Sequence, residues 1–141
     1  MVVNSNNISA GIVDLSPVGK HLPDSLISQM RSLKVSKFTE PGKLPEWGFI
    51  FSPYVAFIRP VDFLEEKSFL ELIDQYLSLL LSLLVKVKRD EINSLDAMCR
   101  LNYQKRYCLN QKRNDKTRGI LTKFFGSSWA DEYINKILFE C

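Results

Sequence analysis

The stretch NQKRNDKTRG, residues 110–119, gathers Lys112, Arg113, Asp115, Lys116 and Arg118 and sets an amide, a carboxylate and an ammonium side by side at Asn114, Asp115 and Lys116. Such a trio offers a hydrogen-bonding amide, an ionisable acid and a fixed cation. On residue types alone it reads as a helix boundary, with Asn114 and Asp115 as caps and Lys116 and Arg118 on a solvated face. A second carboxylate, Asp14, follows the small and β-branched run ISAGIV and precedes the turn LSPVG, so that a strand ends on an acid. Taken singly it is an ordinary turn aspartate, and Arg59 in FIRP is a strand-end charge. A different chemistry is offered by Arg100, Lys105, Arg106, Lys112 and Arg113, interleaved with Tyr103 and Tyr107. These suit a small basic helical module binding RNA or an acidic protein partner, although no RNA-binding fingerprint accompanies them.

Composition limits these readings. The 141 residues are enough for one domain with a real core, and 45% apolar with 25% charged residues is ordinary for a globular protein. A formal charge of +3, from 19 basic and 16 acidic side chains, is too mild to imply nucleic acid by itself. Cys99, Cys108 and Cys141 are widely spaced and form no CxxC, and with His21 as the one histidine they make a zinc site improbable. Free thiols suit a reducing, cytoplasmic setting. The start MVVNSNNISAG lacks the basic and apolar regions of a signal or transit peptide. The run YLSLLLSLLVKV, residues 76–87, is interrupted by Ser78 and Ser82 and falls short of the roughly 20 apolar residues of a span, so it reads as a buried core helix.

The elements that would position the polar residues follow from periodicity. Residues 8–13 predict a strand, and FIFSPYVAFIR, residues 49–59, predicts a second one broken near Pro53. Leu26, Ile27, Met30 and Leu33 predict a short helix over 23–33, and Pro41, Gly42, Pro45 and Gly48 predict a loop. Asp62 and Glu65 resemble a capping box for a long helix whose apolar positions are Phe63, Leu70, Ile73, Leu77, Leu80, Leu81 and Leu84. Further helices are expected from about Glu91 to Lys112, from Asp115 to Phe125 with Gly126 as the stop, and beyond a cap formed by Ser128 and Asp131. Two strands are few for so many helices, so part of a sheet is expected to be missing from this chain.

ISAGIVDLSP, LPEWGFIFSPYVAFIRP and YCLNQKRNDKTRGILTKFFGSSWADEYINKILFE together resemble the C-terminal part of the ferredoxin-dependent bilin reductases, from about Asn7 to Glu140 and most closely their phycocyanobilin-forming branch. Val55 and Gly119 depart from that branch, which commonly has cysteine and a second arginine there. The resemblance implies an α/β fold, an α/β/α sandwich with an antiparallel central sheet, of which 1–141 would be the C-terminal portion as a single domain. Its N-terminal strands, with a catalytic histidine and glutamate of the family, would lie outside this chain.

The implied activity is reduction of biliverdin IXα to a phycobilin, phycocyanobilin favoured, with electrons delivered singly by a [2Fe-2S] ferredoxin and no cofactor bound by the enzyme itself. Neither a nucleic acid nor a membrane partner is expected. A proton donor for such chemistry must be protonated near neutral pH, and a carboxyl aimed into an apolar pocket meets that need because desolvation disfavours its charged form. By resemblance Asp14 stands at the catalytic aspartate, Asn114 at an asparagine beside the bilin, and Asp115 at a carboxylate of the proton supply. Arg59 and Lys116 match the basic residues at the two propionates, a task for which an arginine fork is well shaped. Ser52 is a further candidate at the same end of the pocket, and His21 is expected on the surface with no catalytic role.

Overall fold

A computed structural model describes residues 2–4 and 7–140. Two compact units succeed one another, one up to Arg89 and one from Asp90 onward. Helix and strand are mixed, as expected of an α/β protein.

In the first unit, β1 (Val2–Asn4), β2 (Asn7–Val13) and β3 (Ala56–Ile58) form an antiparallel sheet in that order. Gly11, Ile12 and Val13 of β2 face Ile58, Phe57 and Ala56 of β3. The outer side of β3 is covered by the segment 40–42, where Gly42 N–H donates to the Phe57 carbonyl (2.6 Å) and Arg59 N–H to that of Glu40 (2.9 Å). The strand expected over 49–59 therefore shrinks to its last part. Its beginning is a 3-10 turn, Glu46–Ile50, entered after Pro45 and closed by Gly48 N–H on the Pro45 carbonyl (2.8 Å). Alternating apolar residues read locally as a strand, yet here Phe49 is two-thirds exposed and Ile50 is buried.

Helix α1 (Asp24–Ser32) follows Pro23 and buries Leu26 and Met30. Helix α2 (Phe63–Leu84) starts where expected, with Asp62 Oδ1 accepting the Glu65 N–H at 2.8 Å. Glu65 closes the cap on Val61 N–H (3.1 Å) rather than on the cap residue, and also accepts from the Thr39 amide and hydroxyl, which hold its carboxyl below the usual range. The buried face of α2 is Phe69, Leu72 and Tyr76. The apolar stripe expected from spacing is corrected: Phe63, Leu70, Leu77, Leu81 and Leu84 are exposed, so residues 76–87 are not a buried core helix. Periodicity found the helix but not its inner face, since apolar residues lie on both sides.

Two clusters form the core of this unit. Leu22, Leu26, Met30, Leu72 and Tyr76 join α1 to α2, and Ile8, Ile58 and Phe69 join the sheet to α2. Phe69 is fully buried, edge-on to Phe38 at 6.4 Å, and its ring occupies the space above Gly11. A Cβ at Gly11 would lie 2.3 Å from that ring, so only glycine lets β2 and α2 approach this closely.

The second unit is helical. α3 (Leu95–Gln111) begins later than Glu91 because Asn93 adopts a left-handed conformation (φ 63°) and Ser94 Oγ then caps the Ala97 N–H (3.2 Å). α4 (Asp115–Phe125) ends at Gly126, whose φ of 86° also opens α5 (Ser127–Tyr133), followed by a π-helical turn, Ile134–Leu138. The expected Ser128 and Asp131 cap is not formed: Ser128 lies inside α5 and Asp131 pairs with Arg118. Trp129 stacks on Tyr133 along α5 with ring centroids 4.7 Å apart, and Phe125 at the end of α4 lies tilted against Trp129 at 4.5 Å. Among the described residues no helix is long and apolar enough to cross a membrane.

Candidate functional site

Antiparallel pairing of Val13 with Ala56 puts the residue after β2 and the residues before β3 at one end of the sheet. Asp14 and Ser52 meet there. Asp14 Oδ1 accepts the Ser52 hydroxyl at 2.5 Å, and Oδ2 accepts both the Ser52 N–H at 2.9 Å and the Ser16 hydroxyl at 2.6 Å. Ser52 is 3% exposed, and its Oγ in turn accepts the Tyr54 N–H at 3.1 Å. Tyr76 of α2 closes the group by donating its hydroxyl to the Tyr54 carbonyl at 2.5 Å, while Arg31 Nε donates to the Tyr54 hydroxyl at 3.1 Å. Burial, with a smaller contribution from the Asp14 charge, pushes the Tyr76 hydroxyl up to about 12, so it stays a neutral donor at physiological pH.

The surroundings of Asp14 differ from the apolar pocket expected of a proton donor. Half-buried Asp14 is ringed by hydroxyl and amide donors, and the apolar cluster is reached through its neighbours Val13 and Leu15. Sequence reasoning missed Ser16 and Tyr76. The spacing of Ser16 two residues after Asp14 is a side-chain turn signal that points to it, whereas Tyr76 carries no local signal, because only the packing of α2 brings it near.

The other candidates stand elsewhere. Arg59 follows the far end of β3 and is exposed, and among the described residues its guanidinium makes no ion pair. In the second unit Asn114 caps α4, its Oδ1 accepting the Thr117 N–H at 3.2 Å, with Asp115 and Lys116 exposed in the first turn. The helix N-terminus favours the Asp115 charge. The structure thus joins Asp14 to Ser52, and Asn114 to Asp115 and Lys116. Of the basic residues considered for an acidic partner, Arg100 forks onto Asp90 (2.5 and 3.1 Å) and Arg106 lies over the Tyr103 ring (4.9 Å). His21 is exposed, as expected.

Comparison with known proteins agrees with the resemblance. The family model described as ferredoxin-dependent bilin reductase matches residues 1–140. The chain is 47% identical over 140 residues to a phycocyanobilin:ferredoxin oxidoreductase of Prochlorococcus marinus (strain MIT 9313), covering 99% of this chain and 53% of that protein. Proteins of the same name in Synechococcus sp. (strain CC9605) and Trichodesmium erythraeum (strain IMS101) are 41% and 36% identical, over 99% and 94% of this chain and 57% and 54% of theirs. The chain spans about half the length of the curated relatives it matches.

Proposed function

The chain belongs to the ferredoxin-dependent bilin reductase family, and we propose that it is part of an enzyme that reduces biliverdin IXα to a phycobilin, with electrons delivered singly by a [2Fe-2S] ferredoxin. The names of the relatives favour phycocyanobilin as the product. The enzyme binds no redox group of its own in this reading, and its whole fold is an α/β/α sandwich around an antiparallel sheet.

The observation that carries the proposal is the family match over residues 1–140, within which Asp14 is a carboxyl fixed at the sheet end by three hydrogen bonds. Saturating one double bond takes two electrons and two protons. Ferredoxin supplies the electrons one at a time, and after each the bilin must take up a proton before it can proceed. Asp14 gives that proton, leaving a carboxylate for which the Ser16 and Ser52 donors are already in place, and solvent restores the proton. Asn114 orients the bilin and Asp115 supplies protons. Arg59 and Lys116 hold the propionates, because fixed cations suit carboxylates.

The test joins this chain to the remaining half of the Prochlorococcus relative and replaces Asp14 by Asn, which keeps shape and loses the proton. Expected are near-normal biliverdin affinity, loss of phycobilin product, and a bilin radical persisting in electron spin resonance after ferredoxin and reductant are added. Turnover close to that of the parent would return Asp14 to the role of a turn residue.

A further inference from the structure

We propose that Ser16 and Ser52 are positioning residues that fill one oxygen of the Asp14 carboxyl and leave the other as the seat of the transferred proton. A carboxylate oxygen has two lone pairs. Both of those on Oδ2 are taken, by the Ser52 N–H at 2.9 Å and the Ser16 hydroxyl at 2.6 Å. The Ser52 amide can only donate, so a proton on Oδ2 would face another hydrogen and break that contact. Oδ1 accepts only the Ser52 hydroxyl, and its second lone pair is unclaimed among the described residues.

The direction of the Ser52 hydroxyl is itself fixed. Its Oγ accepts the Tyr54 N–H at 3.1 Å, which turns the hydroxyl proton toward Asp14. Ser52 is 3% exposed and its single proton is in use, so a propionate could take this hydroxyl only by releasing Asp14. Ser52 therefore serves the reaction through Asp14 rather than through the substrate, in place of the propionate contact that the resemblance implies. In the step itself the Oδ1–H bond breaks as a bond to hydrogen forms on a bilin that has received one electron from ferredoxin. The O–H electron pair stays on Oδ1, and the product carboxylate is the hydrogen-bonded form described here.

This inference rests on the bilin reductase reading, so its test has one arm that needs no catalysis. By nuclear magnetic resonance on the 141-residue chain and on the fusion, Asp14→Ala should move the Ser52 amide proton upfield and speed its exchange. In turnover assays of the fusion, Ser16→Ala and Ser52→Ala should each lower kcat about tenfold, with KM for biliverdin and for its dimethyl ester held within about twofold. Ser16→Thr, which keeps the hydroxyl, should restore the rate, and neither alanine variant should add to the loss in Asp14→Asn. A rise in KM for the diacid but not the ester in Ser52→Ala would return Ser52 to the propionate and overturn the proposal. Losses fully additive with Asp14→Asn would overturn it as well. An active parent whose Ser52 amide ignores Asp14→Ala disproves the clamp, whereas an intact clamp in a fusion that never turns over bilin disproves the functional reading.

Discussion

Up to Arg89 the chain is organised around side chains buried by distant partners, whereas from Asp90 onward it is organised by its neighbours in sequence. The first unit has two buried clusters, and its key contacts cross between sheet and helix. In the second, Ala130 and Ile134 are the apolar side chains buried among the described residues, while Leu95, Met98, Leu109, Phe124 and Ile137 are more than half exposed. Its order comes from the Ser94 and Asn114 caps, the Lys136 and Glu132 pair one turn apart (2.8 Å), and rings stacked along α5. A helical apolar stripe shows that a face is available for burial, and says nothing of whether anything buries it.

The largest effect that would break this contrast is loss of a first-unit core residue. Phe69→Ala empties a fully buried site between Gly11 and Phe38 and should cost about 3–5 kcal/mol. Phe124→Ala, at a site 71% exposed, should stay within about 0.5 kcal/mol. Urea titrations read both, and similar costs would mean that the second unit has a core after all.

Binding sharpens the comparison, because each unit carries one proposed propionate contact. Arg59→Ala and Lys116→Ala should each weaken biliverdin binding to the fusion by about 1–3 kcal/mol. In absorbance titrations the loss should shrink with the dimethyl ester, and equal losses for acid and ester would refute the assignment.

The smallest effect is confined to alkaline solution and to the first unit. Tyr76 holds its proton more firmly folded, at about 12, than its ordinary value of 10. Its contribution to stability is complete below pH 10 and lost as pH rises toward 12, because the unfolded chain releases the proton first. Circular dichroism melts at pH 9 and pH 11 should show this loss, and Tyr76→Phe should flatten it.

What could be read in advance divides along the same line. The cap at Asp62, the Asn114 boundary and the Gly126 stop are local events that involve a few adjacent residues, so residue types alone reveal them. The exposed side of α2 and the tie from Ser52 to Asp14 depend on partners distant in sequence, to which local periodicity is blind. Val2–Asn4 went unrecognised because so short a run carries little pattern of its own. The residues of the candidate site were reachable through family resemblance, whereas their polar surroundings required the tertiary fold.

The Ile8 N–H donates to Glu66 Oε1 at 2.6 Å across 58 residues of chain, fastening the strand that leads to Asp14 onto α2. Such a contact sets an order of events in folding. Helices α3 to α5 need only close neighbours and can grow in about a microsecond, whereas the sheet must wait until the chain has closed a long loop and lost the corresponding entropy. During synthesis the first unit leaves the ribosome first, yet β2 has no β3 to pair with, and no Glu66 to hold it, until both have emerged. The strand that leads to the proposed acid thus keeps its β3 edge open until residues 56–66 have been made.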